Sequence, residues 1–219
     1  MTLHETMVRS FLLLALAATL LPAAAGSKRQ PAQPRYDLQE GDIVFQGNPG
    51  AQSDAIRDAT GSPFTHCGVV FKHEGRWMVV EAVQPVGATP LDRWIARSLP
   101  DTFRAYRLKQ PLEPASAARA RGWAERQLGL NYDLKFRWDD GALYCSEFVW
   151  KLYRQAGVEL CKQRPFRDYN LEAPTVKAII DQRYGGRQNL PLDEPAVAPG
   201  DLVKSPLLVE APRRAVKKH

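Results

Sequence analysis

Residues 65–83 read THCGVVFKHEGRWMVVEAV. Two runs rich in β-branched and aromatic residues, 65–71 and 77–83, flank the stretch His73-Glu74-Gly75-Arg76, a pattern that reads as a β-hairpin. A two-residue loop at Glu74-Gly75, or a four-residue loop from His73 to Arg76, gives one register: His66 faces Val83, and Glu81 faces Gly68. Side chains alternate along a strand, so His66 and Glu81 share a face as diagonal neighbours, about 7–8 Å apart at the backbone. Gly68, opposite Glu81, leaves room for the two to meet. A three-residue loop would put them on opposite faces. Cys67 adjoins His66 in sequence but points to the other face by the same alternation, and reads as core.

The second decisive stretch is LYCSEFVWKLYRQAG at 143–157. Phe148, Val149, Leu152, Tyr153 and Ala156 recur at helical spacing, so a helix is expected from Cys145 to Ala156, with Gly157 as its stop. Cys145 then sits in the first turn. There the positive end of the helix dipole favours a thiolate, and the unpaired N–H groups can bind an oxyanion. Packing of Cys145 on the apolar stripe is an equally physical role for it. A thiolate nucleophile needs a base. His4 lies near the start, His219 is the last residue and His73 falls in the hairpin turn, which leaves His66. A strand histidine also serves as a structural core residue, and Glu81 as an ordinary exposed strand residue. Cys161 lies in a Lys- and Arg-rich loop with no identifiable base.

Outward from these stretches, Ile43-Val44-Phe45 reads as a short buried strand and Ser53 to Thr60 as a short helix. Pro90 to Arg97 reads as a helix with Thr89 as its cap, and Phe103 to Leu108 as a strand. Ala115 to Leu128 reads as a helix ended by Gly129, and Thr175 to Asp181 as another. Pro191 to Pro206 reads as mostly loop, and no internal repeat is present.

With 219 residues, 44% hydrophobic and 25% charged, the chain suits one packed domain plus a targeting segment. The apolar run Phe11 to Leu21, followed by Ala23-Ala24-Ala25-Gly26-Ser27, matches a secretory signal peptide cleaved after Ala25. The run is shorter than the roughly 20 residues of a membrane span. An uncleaved anchor is the alternative. Initiation at Met7 would give a cleaner basic leader. The expected organisation is a signal peptide over 1–25, a linker over 26–37, a catalytic domain over 38–208 and a basic tail over 209–219. The protein is expected to be exported, periplasmic or secreted, with no stable membrane span after cleavage. Three cysteines outside the leader, an odd number, leave at least one thiol unpaired in the chain. No C-x-x-C or paired-histidine spacing suggests zinc, so no metal is expected. The net charge of +6 is scattered apart from Arg213, Arg214, Lys217 and Lys218, and no aromatics alternate with it, so no nucleic-acid partner is expected.

LQEGDIVFQ at 38–46, SPFTHCGVVF at 62–71, WMVVEA at 77–82, LGLNYDLKFRWDDGALYCSEFVWKLY at 128–153 and PGDLVKSPLL at 199–208 together resemble the YiiX-like branch of permuted papain-like enzymes, relatives of the NlpC-type cell-wall peptidases. The resemblance implies an α+β fold: a small antiparallel sheet or open barrel with the nucleophile helix packed against it. It implies circular permutation, since ordinary papain-like enzymes place the Cys helix before the His strand. Cys145 is implied as nucleophile, His66 as general base and Glu81 as the residue orienting it. Tyr132 resembles a site-lining tyrosine of the NlpC-type enzymes; its hydroxyl suits an oxyanion donor, as a core role also suits it. Tyr144 and Ser146, flanking Cys145, complete the expected substrate-facing set. Cys67 departs from the pattern, which leads one to expect an apolar residue such as Val.

The implied activity is hydrolysis of an amide, a cell-wall peptide or another envelope amide, with no cofactor. Two other readings stand beside it: a lipid-directed thiol acyltransferase or thioesterase, and a non-catalytic envelope module. The expected partner is an envelope peptide, amide or lipid-linked substrate. An apolar channel beside Cys145 would favour the lipid-directed reading, and a polar groove with a carboxylate or amine pocket the peptide-directed one. A binding module predicts that His66 is remote from Cys145.

Overall fold

A computed structural model describes residues 36–214; the leader expected over 1–25 lies outside the described residues. In chain order the elements are β1 (Ile43–Gln46), α1 (Ala51–Thr60), β2 (His66–His73), β3 (Arg76–Glu81), β4 (Gly87–Pro90), α2 (Leu91–Ala96) and β5 (Arg104–Leu108). They continue with α3 (Pro114–Gln127), α4 (Cys145–Gln155), β6 (Arg164–Pro165), α5 (Pro174–Tyr184), β7 (Pro195–Ala196), α6 (Pro199–Val203) and β8 (Leu208–Glu210). Six strands form one antiparallel sheet in the order β4-β3-β2-β1-β5-β8, and β6 pairs with β7 alone.

The hairpin closes through Glu74 and Gly75, both with positive φ (48° and 77°), the two-residue turn whose twist matches its strands. Its ladder runs from His73↔Arg76 to Val69↔Val80, so Gly68 comes opposite Glu81, as the expected register requires. β3 ends at Glu81, two residues earlier than the alternation suggests, because the chain turns there into β4. That strand is absent from the sequence reading and corrects it: Thr89 is a β4 residue paired with Val79, and Pro90 occupies the N-cap of α2. The region 191–206 also carries β7 and α6 where mostly loop was expected, and β8 carries the sheet past Leu208.

β1 lies at the centre of the sheet, fully buried, and sorts the core by alternation. Ile43 and Phe45 face α3 and α4, where Val69, Phe148, Val149 and Leu152 join them. Val44 faces the other side, with Val70, Val79, Trp94 and Phe103. Each fully buried Phe, Val or Leu of the α4 stripe contributes about 1.5–3 kcal/mol, which presses the start of α4 onto β2. A third apolar cluster joins α1 to α5 through Ala55, Leu171, Val176 and Ile180. Tyr36 bridges to Arg213, and the Asp37 N–H donates to the Pro212 carbonyl at 2.8 Å, so the two ends of the described chain meet. No described helix is long and apolar enough to cross a membrane.

Candidate active site

His66 is the first residue of β2 and Cys145 the first of α4, and the packing of α4 on β2 brings the two together. The His66 ring hydrogen-bonds to Glu81 and lies beside Cys145, close enough for each to shift the other's pKa. Its Nε2 is the atom on Glu81. Glu81 is fully buried, and both its oxygens are occupied. Oε2 takes His66 and the Trp94 indole N–H (2.8 Å); Oε1 takes the Thr89 hydroxyl (2.6 Å) and the Arg97 guanidinium (2.6 Å). Trp94 also stacks on the imidazole, ring centroids 6.0 Å apart. The meeting depends on Gly68: a Cβ there would come within 2.9 Å of the Val80 carbonyl and 3.2 Å of the Glu81 Cβ.

The electrostatics follow from these contacts. Burial alone would raise the Glu81 pKa, but the bond to His66 and its charge, with Thr89 and Arg97, bring it down to about 2. Burial opposes charge on His66, yet hydrogen bonds to Cys145 and Glu81 outweigh it and raise its pKa to about 9. The Cys145 thiol is held well below the ordinary cysteine range by hydrogen bonds from Cys67 and, against burial, from His66. Both shifts favour a thiolate beside an imidazolium, the form a nucleophilic cysteine requires.

Cys67 points to the α4 side and is fully buried, as alternation demands, but it also touches Cys145, which the sequence did not suggest. Burial and the Cys145 charge push its own pKa well up, so it remains a thiol and donates. Cys161 is remote from the pair, and burial raises its pKa to about 12. All three cysteines are free.

The other expected site residues divide. Tyr132 lines the cavity beside Cys145, and burial with the Cys145 charge keeps its phenol firmly protonated. Tyr144 is the N-cap of α4; its hydroxyl accepts the Val197 N–H at 3.2 Å, and its ring packs edge-on against Phe136. The Ser146 hydroxyl donates to the Val197 carbonyl at 2.6 Å, so it braces a neighbouring loop, while the residue also lines the cavity beside Cys145. The sequence reading did not include Glu147, three residues into the helix. It accepts the Tyr144 N–H at 3.3 Å, pairs with Lys151 at 2.8 Å, and is raised by burial to about 8.

Beside Cys145 lies an open-mouthed cavity. Its walls come from α1 (Ala55, Ile56), α5 (Val176, Ile180) and the Phe166–Leu171 segment, and they are almost wholly apolar. Gln52, Tyr132 and Arg183 supply its main polar edge.

Residues 37–210 match the family described as permuted papain-like amidase enzyme, YaeF/YiiX, C92 family. The chain is 37% identical over 174 residues to the protein YiiX of Escherichia coli (strain K12), covering 79% of this chain and 85% of that protein. It is also similar to a crystal structure of metalloprotein yiiX from Escherichia coli O157:H7, with a TM-score of 0.75 and 36% identity over 80% of this chain and 97% of that one.

Proposed function

The chain belongs to the permuted papain-like amidase family of YaeF and YiiX, a cysteine peptidase and amidase family, and from that premise we propose that it hydrolyses an amide whose acyl group is a long apolar chain. The observation that carries the substrate class is the apolar cavity that Cys145 helps to line. A peptide-directed enzyme would have a carboxylate or amine pocket there, whereas these walls are aliphatic and aromatic carbon.

In the proposed reaction the Cys145 thiolate attacks the amide carbonyl, forming a C–S bond and moving the carbonyl electron pair onto oxygen. The Tyr132 hydroxyl and the free N–H groups at the start of α4 receive that oxyanion. His66 gives its proton to the amine as the C–N bond breaks, leaving a thioester. Neutral His66 then takes a proton from water, whose oxygen attacks the thioester. The carboxylic acid leaves, and the thiolate and imidazolium are restored. Glu81 keeps the imidazole oriented and balances its charge.

The crystal structure of yiiX is described as that of a metalloprotein; among the described residues here no three His, Cys, Asp or Glu side chains gather as a ligand set. The signal-like run Phe11 to Leu21 supports an envelope location.

The test is a series of N-acyl amides of one amine, from acetyl to hexadecanoyl, beside short peptide amides and acyl esters. kcat/KM is expected to climb with acyl length and to vanish in Cys145→Ala. Iodoacetamide is expected to label Cys145 ahead of Cys67 and Cys161, with the selectivity lost in His66→Ala. Short peptide amides cleaved as fast as long-chain ones would overturn the substrate assignment.

A further inference from the structure

Three residues from three separate segments form one hydrogen-bonded line at the polar edge of the cavity. Arg183, on α5, donates through one guanidinium nitrogen to the Gln52 Oε1 at 2.5 Å. Gln52, on α1, donates through Nε2 to the Tyr132 hydroxyl oxygen at 2.9 Å. The other terminal nitrogen of Arg183 donates to the Leu134 carbonyl at 2.8 Å, and the guanidinium lies 5.2 Å over the Phe136 ring, so Arg183 is held from two further sides.

The polarity of this line matters more than its existence. A glutamine amide can offer either its oxygen or its NH2 group to a neighbour, and a phenol can donate or accept. Arginine has donors only and stays protonated in proteins. Its presence at one end therefore admits a single arrangement: the Gln52 oxygen turned to Arg183 and the NH2 turned to Tyr132. Because the Tyr132 oxygen already accepts from Gln52, its own proton has no partner in that direction. It is left to point into the cavity, where Cys145 lies. With Gln52 reversed, the amide oxygen would take the phenol proton and Tyr132 would face the substrate as an acceptor, repelling an oxyanion.

We infer that Gln52 and Arg183 are positioning residues that fix the Tyr132 hydroxyl as a donor toward the acyl oxygen held at Cys145. The inference rests on the proposed role of Tyr132 in the Cys145 reaction. It assigns tasks to residues that neither touch the reacting atoms nor belong to the Cys145–His66–Glu81 set. It also gives a reason for a cation at the rim of an apolar cavity.

The test measures kcat and KM on N-dodecanoyl aminocoumarin amide, with the alkylation rate of Cys145 by iodoacetamide as a readout that forms no oxyanion. Tyr132→Phe is expected to lower kcat about 100- to 1,000-fold, the usual effect of losing an oxyanion donor, with KM little changed. Arg183→Met frees Gln52 to reverse and is expected to lower kcat about tenfold, part of that donor effect, leaving KM and alkylation unchanged. Arg183→Lys, which also only donates, is expected to restore most of the loss. Gln52→Glu places a proton acceptor on Tyr132 and is expected to approach the Tyr132→Phe defect; it also covers the case in which Arg183→Met fails to fold. Combined with Tyr132→Phe, neither change is expected to reduce kcat further. Equal losses with and without the Tyr132 hydroxyl, or an effect confined to KM, would overturn the relay and leave the Tyr132 role intact. An unchanged kcat in Tyr132→Phe itself would overturn that role, and the relay with it.

Discussion

His66 keeps its proton up to about pH 9, and the sign of that shift separates two readouts of one site. The raised value means that the imidazolium is complete at neutral pH and is lost as pH rises through about 9. In the proposed mechanism amide cleavage needs that proton for the departing amine, so kcat/KM is expected to fall above about pH 9. Alkylation of Cys145 needs only the thiolate, and is expected to hold level through the same range; parallel profiles of the two rates check this. Cys67 carries a second residue-scale prediction. Its thiol is the largest influence lowering the Cys145 pKa, so Cys67→Val is expected to move the pH midpoint of Cys145 alkylation upward, with Cys145 still the preferred site. The meeting of His66 and Glu81 was legible in the sequence because alternation and turn length determine which strand residues meet, whereas their pairing with Cys145 was implied only by the family resemblance. The other partners of Glu81 were not legible. Trp94 on α2 and Arg97 at its C-terminal cap follow an unforeseen strand, and Thr89-Pro90 looks locally like a helix cap until β4 pairs it with β3. Gln52 and Arg183 carry no local signal at all, since only tertiary packing of α1 on α5 joins them.

At the scale of elements, the β2–β3 hairpin and the start of α4 are the parts that must keep register. Gly68 is where they are most easily disturbed. An added methyl there meets the Val79 side chain at 2.5 Å and the Val80 carbonyl at 2.9 Å, and a backbone atom cannot step aside. Gly68→Ala is expected to cost about 1–3 kcal/mol, in the range of overpacked cores, and urea denaturation measures it. Because the Glu81 Cβ lies 3.2 Å from the same methyl, activity is expected to drop by more than the lost folded fraction explains. The longer periodic elements, α3, α4 and the hairpin, stood out in the sequence through their apolar spacing. The two-residue strands β6 and β7, the five-residue α6 and the edge strand β8 did not. Such short pieces are set by the partner they pair with, and period-counting cannot see a partner.

The whole molecule has two parts with different work: a sheet-and-helix core that holds the reacting groups, and an α1–α5 cap that shapes the cavity. In the proposed reading the cap determines which acyl chains fit. Ala55 is one of its small residues on α1, in the apolar cluster with Leu171 and Ile180. Ala55→Trp is expected to fill the cavity and lower kcat/KM for hexadecanoyl amides by at least about tenfold, while butanoyl amides are spared. An acyl-length series run on both proteins reads the crossover.

The bridge between Tyr36 and Arg213 has a further consequence. A few glycines could splice those neighbours into a continuous loop, and the exposed stretch between Lys109 and Glu113 offers a place to reopen the ring. The rearranged polypeptide would begin with α3 and α4, reach β2 only later, and encode sulfur before imidazole. If it folds to the same site and turns over the same amides, gene order and catalytic geometry are separable properties of this architecture.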